Sequence, residues 1–171
     1  APSQAVAFAP FMVNKLGKKW HIAYADYSWG QSTRDAYVQE IKKAGGQVTG
    51  TTGIPIGTAD MTPFLSKISG DIDGLFGIFF GKDGVTIGNQ AYDLGLTKKY
   101  KWAGDGAIAE STNLPGLGNK IDGFIGIERY VPVFEGVLNT PANHRFFDDA
   151  KVRLAKIDSS KPDPDRYTQS N

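Results

Sequence analysis

An unbroken run of apolar residues and glycines, Gly74-Leu75-Phe76-Gly77-Ile78-Phe79-Phe80, narrows most sharply what this chain can fold into. A strand with one wet face alternates polar and apolar residues. A continuous run predicts a strand buried on both faces, which is the habit of a parallel sheet covered by helices. Parallel neighbours cannot be joined by a tight turn and need a crossover, usually a helix. The rest of the chain should therefore alternate strands with helices.

It does. Val6, Ala9, Val13 and Leu16 recur at helical spacing and predict an amphipathic helix over 3–16. Pro10 should kink or split it, and Gly17 should end it. Trp20 to Ala25 reads as a strand ending at Asp26. Residues 31–44 place Tyr37, Val38, Ile41 and Ala44 on one helical face, with Ser32 and Asp35 as the cap and Gly45-Gly46 as the stop. Gln47 to Ile56 is β-rich, and Thr62-Pro63 opens a short helix carrying Phe64, Leu65 and Ile68, closed by Gly70. After the apolar run come a helix over 84–94 stopped by Gly95, short strands from Tyr100 to Gly104 and from Phe124 to Val131, and a last helix from Asn143 to Ile157. That helix carries Phe147, Ala150, Leu154 and Ile157 at spacings of three and four. The prediction is an α/β fold: a three-layer αβα sandwich around a mainly parallel five-stranded sheet.

Residues 1–158 read as a single lobe. From Ser159 the composition changes to Ser159-Ser160-Lys161-Pro162-Asp163-Pro164-Asp165, so 159–171 reads as a linker or the start of a segment directed elsewhere in a longer parent. The opening Ala1-Pro2-Ser3 suggests a mature protein or a fragment. With 40% hydrophobic and 22% charged residues, the chain has the balance of a globular domain. A net charge of +1 offers no general field for nucleic acid or an anionic membrane. Lys18-Lys19, Lys42-Lys43 and Lys98-Lys99 read as solvated helix ends and loops.

Chemistry-bearing patterns are scarce. The chain has no cysteine, so disulfides, thiolates and sulfur-ligated zinc are excluded. Dinucleotide and phosphate-cradling glycine motifs and the nucleophile elbow are absent. His21 and His144 lack metal-ligand spacing and read as core or surface residues. Asp148-Asp149 lies among Arg145, Lys151 and Arg153, a solvated helix face rather than an acid/base pair. The expectation is no enzyme activity, no cofactor and no metal.

In open parallel sheets, ligands bind outside the carboxyl ends of the strands. The predicted rim carries Asp26, Tyr27, Ser28, Trp29 and Gly30 after the first strand, then Gly57, Thr58 and Asp60 after the second. Phe80 to Asp83 follow the third, Asp105 to Ala107 the fourth, and Tyr130 the fifth. Tyr27, Trp29, Phe80, Asp105 and Tyr130 are the candidate ligand-binding residues. Asp105 can receive a ligand's ammonium group or make an Asx-turn. Trp29 can stack on a ligand or anchor a loop, Phe80 can belong to core or site, and Asp26 reads as fixing the following turn.

Several segments resemble one family. Lys19 to Ser32, with a strand ending in Asp and an aromatic-Gly pair opening a helix, resembles the start of the second lobe of type I periplasmic solute-binding proteins, of the branched-chain amino-acid-binding kind. Ala44-Gly45-Gly46-Gln47-Val48 and Gly57-Thr58-Ala59-Asp60-Met61-Thr62-Pro63-Phe64-Leu65-Ser66-Lys67-Ile68 match in order, the second most specifically. So do Asp93-Leu94-Gly95-Leu96, Gly104-Asp105-Gly106 and Thr140-Pro141-Ala142-Asn143 with Phe146.

The resemblance implies the substrate-binding component of an ABC transporter, periplasmic or extracellular. It implies capture of a small solute between two lobes: a branched-chain or related amino acid, an amide or an aromatic acid. Its partners would be the missing first lobe and the membrane permease subunits, with no nucleic acid and no direct membrane insertion. The same fold also serves as the sensing domain of receptors and transcriptional regulators. By position, Trp29 replaces a ligand-contacting tyrosine, Asp105 replaces the glutamate that holds the ammonium, and Phe80 falls near another contacting tyrosine. Asp is one methylene shorter than Glu, and Trp and Phe lack the phenol hydroxyl, so the resemblance also implies a changed ligand.

Overall fold

The computed structural model describes residues 2–110, 112–127 and 139–157. The chain divides into two compact units, Ala1–Ile127 and Glu128–Asn171. In the first unit the elements run α1 (Pro2–Phe11), a π-helical turn (Met12–Leu16), β1 (Lys19–Ala25), α2 (Ser28–Lys43), β2 (Gln47–Ile54), α3 (Thr62–Leu65) and β3 (Gly74–Ile78). There follow α4 (Gly81–Asp93), α5 (Leu96–Lys99), β4 (Lys101–Asp105), a 3-10 turn (Gly106–Ala109), α6 (Leu114–Leu117), a second 3-10 turn (Gly118–Ile121) and β5 (Ile125–Ile127). The second unit contributes α7 (Pro141–Ile157).

The strands form one five-stranded sheet in the order β2-β1-β3-β4-β5. Every pairing is parallel. The apolar run sits in the middle as β3, buried at every position. The pleat sends alternate residues to opposite faces. Ala23, Ala25, Leu75, Phe79 and Trp102 join one core with Leu65 of α3, Ile87 and Ala91 of α4 and Leu96 of α5. Trp20, Ile22, Tyr24, Phe76, Ile78 and Ala103 join the other with Ala5, Phe8 and Ala9 of α1 and Tyr37 and Ile41 of α2. Helices thus cover both faces, which is the αβα layering expected from the sequence.

Three local expectations are modified. Pro10 does not break its helix; a π-helical turn follows it, closed by the Gly17 N–H on the Met12 carbonyl at 3.0 Å. Proline lacks the N–H that would bond the carbonyl four residues back, so the helix gives up one backbone bond there and continues. The second helix begins at Ser28, three residues before the predicted start, with Tyr27 ahead of it and no side-chain cap. Ser32 and Asp35 cap nothing: Ser32 Oγ donates to the Trp29 carbonyl at 3.0 Å, and Asp35 pairs with Arg34. The apolar strand ends at Ile78, leaving Phe79 in the core and Phe80 outside it.

In the second unit, Thr140 Oγ1 accepts the Asn143 N–H at 3.2 Å at the entry to α7. Asp148 and Asp149 are exposed on that helix, as expected of a solvated face. The side chains of Phe147, Ala150, Leu154 and Ile157 lie outside what the structure describes, as do residues 159–171.

Candidate functional site at the carboxyl ends of the strands

The turn after β1 is set by backbone first. Asp26 N–H donates to the Ile54 carbonyl at 2.7 Å and Tyr27 N–H to the Ala25 carbonyl at 2.9 Å. Asp26 Oδ1 accepts from Gln31 Nε2 at 2.9 Å, so this carboxylate ties the turn to the first turn of α2, as read from the sequence. Gly30 explains the aromatic-Gly pair: a Cβ there would lie 1.9 Å from the Ala25 carbonyl oxygen. Only glycine lets α2 start so close to the end of β1.

This close start brings three rings together. Tyr27 and Trp29 lie 5.9 Å apart between centroids, Tyr27 and Phe80 6.0 Å, and Trp29 and Phe80 5.8 Å. The Trp29–Phe80 pair meets edge to face, at 87°. All three spacings fall in the range favoured by aromatic pairs. Tyr27 rests on the margin of the α4-side core and Trp29 on that of the α2-side core, so the trio bridges the two. Phe80 remains 42% exposed. Burial holds the Tyr27 phenol above its ordinary pKa, so it stays neutral and able to donate.

Asp105 ends β4 and is only 5% exposed. Its Oδ1 accepts the Ala107 N–H at 3.2 Å and caps the 3-10 turn that follows. The Asx-type role is therefore present. A carboxylate has about four acceptor positions. Asn113 fixes the next stretch, its Nδ2 donating to the Ala107 carbonyl at 3.0 Å and the Ile108 carbonyl at 3.3 Å. On the neighbouring α2, Tyr37 is fully buried, its ring 4.2 Å from that of Phe76. Burial, and secondarily the negative charge of Asp105, push the Tyr37 phenol far above its ordinary value.

The loop after β2 is shaped from outside. Asp83, buried in the first turn of α4, accepts the Gly57 N–H at 3.0 Å. Gly57 itself sits at φ 76°, where glycine is at home. Gln90, further along α4, accepts the Met61 N–H at 2.7 Å and donates to the Ala59 carbonyl at 2.9 Å. Asp60 Oδ1 takes the Thr62 N–H at 3.0 Å.

The structure thus gathers Tyr27, Trp29 and Phe80 in mutual contact and puts Asp105 at the end of the strand next to β3. Tyr130 lies outside the described residues. Sequence reasoning placed Asp83 on the rim without its bond to Gly57, and missed Gln90, Asn113 and the influence of the Asp105 charge on Tyr37. The available signal was a polar residue on a helix face otherwise given to the core, which Asp83 and Thr33 both show. His21 sits away from this end, half-buried in β1, with Nε2 2.8 Å from Thr52 Oγ1. Among the described residues no cluster of His, Asp or Glu is arranged to hold a metal, and no helix is long and apolar enough to cross a membrane.

A parallel sheet in this strand order with helices on both faces is a doubly wound α/β fold, in which ligands sit at the carboxyl ends of the strands. The chain belongs to the periplasmic binding protein family, whose model matches residues 1–163. It is 27% identical over 146 residues to a Leu/Ile/Val-binding protein homolog of Brucella suis, covering 83% of this chain and 36% of that protein. Its fold is similar to an ABC transporter substrate-binding protein from Sphaerobacter thermophilus, with TM-score 0.80 and 24% identity over 92% of this chain and 43% of that one. It is also similar to a solute-binding protein of an ABC transporter from R. palustris solved with 4-hydroxybenzoate, with TM-score 0.79 and 23% identity over 96% and 43% of the two chains. The chain therefore spans less than half the length of these relatives.

Proposed function

We propose that this chain is the second lobe, residues 1–158, of a two-lobed substrate-binding component of an ABC transporter, working in the periplasm or at the cell exterior. It closes over a small solute and presents the closed form to permease subunits. No covalent step is involved; the work is binding and closure. The observation that carries this reading is the collection of Tyr27, Trp29 and Phe80 in one cluster, with Asp105 buried at the neighbouring strand end. The rings supply an apolar wall that is half open to solvent. Asp105 supplies an acceptor for an ammonium or hydroxyl proton, worth roughly 1.5–3 kcal/mol when the donor is charged. That pairing suits a solute with a flat or branched apolar body and a donor at one end. The protein of R. palustris bound to 4-hydroxybenzoate and the Leu/Ile/Val-binding homolog of Brucella suis are named for solutes of this shape.

The test is a thermal-shift screen of the protein carrying both lobes, with branched-chain amino acids, amides, urea and aromatic acids. A solute at one hundred times its dissociation constant stabilises by about 2.7 kcal/mol. A shift that Asp105→Ala abolishes supports the reading. A shift that survives Asp105→Ala keeps the family's function and removes the carboxylate from the site. No shift with any solute favours a sensing domain of the same fold.

A further inference from the structure

Two hydroxyl groups on the inner face of α2 have no evident use. Thr33 and Tyr37 are both 0% exposed, and neither Thr33 Oγ1 nor Tyr37 OH meets a hydrogen-bond partner among the described residues. Enclosed hydroxyls left unpaired forfeit the bonds they made to water, so native structures rarely keep them so. Thr33 has a common local remedy, a bond to the carbonyl four residues back. That carbonyl, of Trp29, already accepts Ser32 Oγ at 3.0 Å.

The geometry brings the two together with a third group. Thr33 and Tyr37 stand one turn apart on the same buried face of α2. Long helical side chains lean toward the helix N-terminus, so the Tyr37 ring runs back over the Thr33 turn. The close contact with Phe76, at 4.2 Å between centroids, pins that ring against β3. The N-terminus of α2 lies at the carboxyl end of the sheet, because β1 runs directly into it. Asp105 ends β4 there, two residues beyond Ala103, which faces the α2 side. The pleat gives Asp105 that same face. Its charge is felt at the Tyr37 hydroxyl, as a secondary cause of that phenol's raised pKa after burial.

We propose that Thr33 Oγ1, Tyr37 OH and the Asp105 carboxylate share one internal water beneath the rim, and that this water sets the orientation in which Asp105 meets a solute. Three polar groups around an enclosed point meet the requirement of a buried water, which typically makes about three hydrogen bonds. Thr33 and Tyr37 are then positioning residues that act through Asp105 without touching the solute. The positioning role rests on the proposed placement of Asp105 in the binding site; the water itself does not.

The experiment is a pair of high-resolution crystal structures of the full-length protein, wild type and Tyr37→Phe, joined to calorimetric titration with 4-hydroxybenzoate and L-leucine as probes. Ordered water within about 3.2 Å of both hydroxyls and an Asp105 oxygen is expected, with a changed Asp105 rotamer in Tyr37→Phe. A dry contact, or an unchanged rotamer, overturns the proposal. In the titrations Tyr37→Phe and Thr33→Val should each weaken whichever probe binds by about tenfold, with the double variant losing little more than either single one. Thr33→Ser, which keeps the hydroxyl, should bind as wild type. Asp105→Asn separates the two ideas. If it weakens binding and Tyr37→Phe does not, the positioning role fails. If it leaves binding unchanged, the site reading fails, and the water is judged by the crystal structures alone.

Discussion

At the amino ends of β1 and β3, polar groups are consumed within the chain. Asp73 Oδ2 accepts the N–H groups of Lys18 and Lys19 at 2.7 and 2.9 Å, Lys19 pairs with Asp71, and Trp20 Nε1 donates to the Gly17 carbonyl at 2.7 Å. At the carboxyl ends of the same strands, rings lie against rings, and Phe80 keeps 42% of its surface exposed. One end is finished for stability. The other leaves apolar surface half uncovered, at some cost in stability, and that is the surface we propose a solute covers.

The comparison breaks if the two ends respond alike to substitution. Trp20 is fully buried at the amino end, and Trp20→Ala should destabilise by about 3–5 kcal/mol in urea unfolding. Gly30→Ala should cost roughly 1–3 kcal/mol, because the new methyl group meets a backbone carbonyl that cannot yield without moving α2. A loss that large at the carboxyl end would show that its backbone is exacting even where its side chains are not. Phe80→Ala should cost about 1 kcal/mol or less in stability, since the ring is half exposed, yet weaken solute binding about tenfold. Equal effects on both would make Phe80 an ordinary structural residue.

The smallest effect concerns pH. Burial lowers the pKa of His21, so the unfolded chain takes up its proton first as the pH falls. Its contribution to stability is full above the ordinary histidine value of about 6.5 and is lost as the pH drops through the lower folded value. Unfolding midpoints measured from pH 8 down to 5 should decline, and His21→Gln should flatten that decline.

Most of the fold could be read from periodicity, because the long elements repeat their apolar residues often enough to show a period. β3 and α4 were located within three residues at each end. The start of α2 was misplaced because Tyr27-Ser28-Trp29-Gly30 carries no helical apolar pattern; packing of Gly30 against β1 begins the helix there. The short turns at Leu96–Lys99, Gly106–Ala109 and Leu114–Ile121 escaped for lack of length. The place of Tyr27, Trp29, Phe80 and Asp105 at the carboxyl ends of the strands was legible because it follows from strand ends alone. Tyr37 read as core, and core it is. That its hydroxyl reaches the neighbourhood of a carboxylate sixty-eight positions along the chain is a fact of strand order, which no local pattern records.

The fastening of the loop after β2 has a consequence for transplanting parts between relatives. Three hydrogen bonds from Asp83 and Gln90 hold Gly57, Ala59 and Met61 in place. The instructions for the shape of that segment are thus written partly on a helix more than twenty residues downstream. Exchanging residues 57–63 alone would deliver the letters without the template. A working graft would have to carry Asp83 and Gln90 with it, as one inherited module in two pieces.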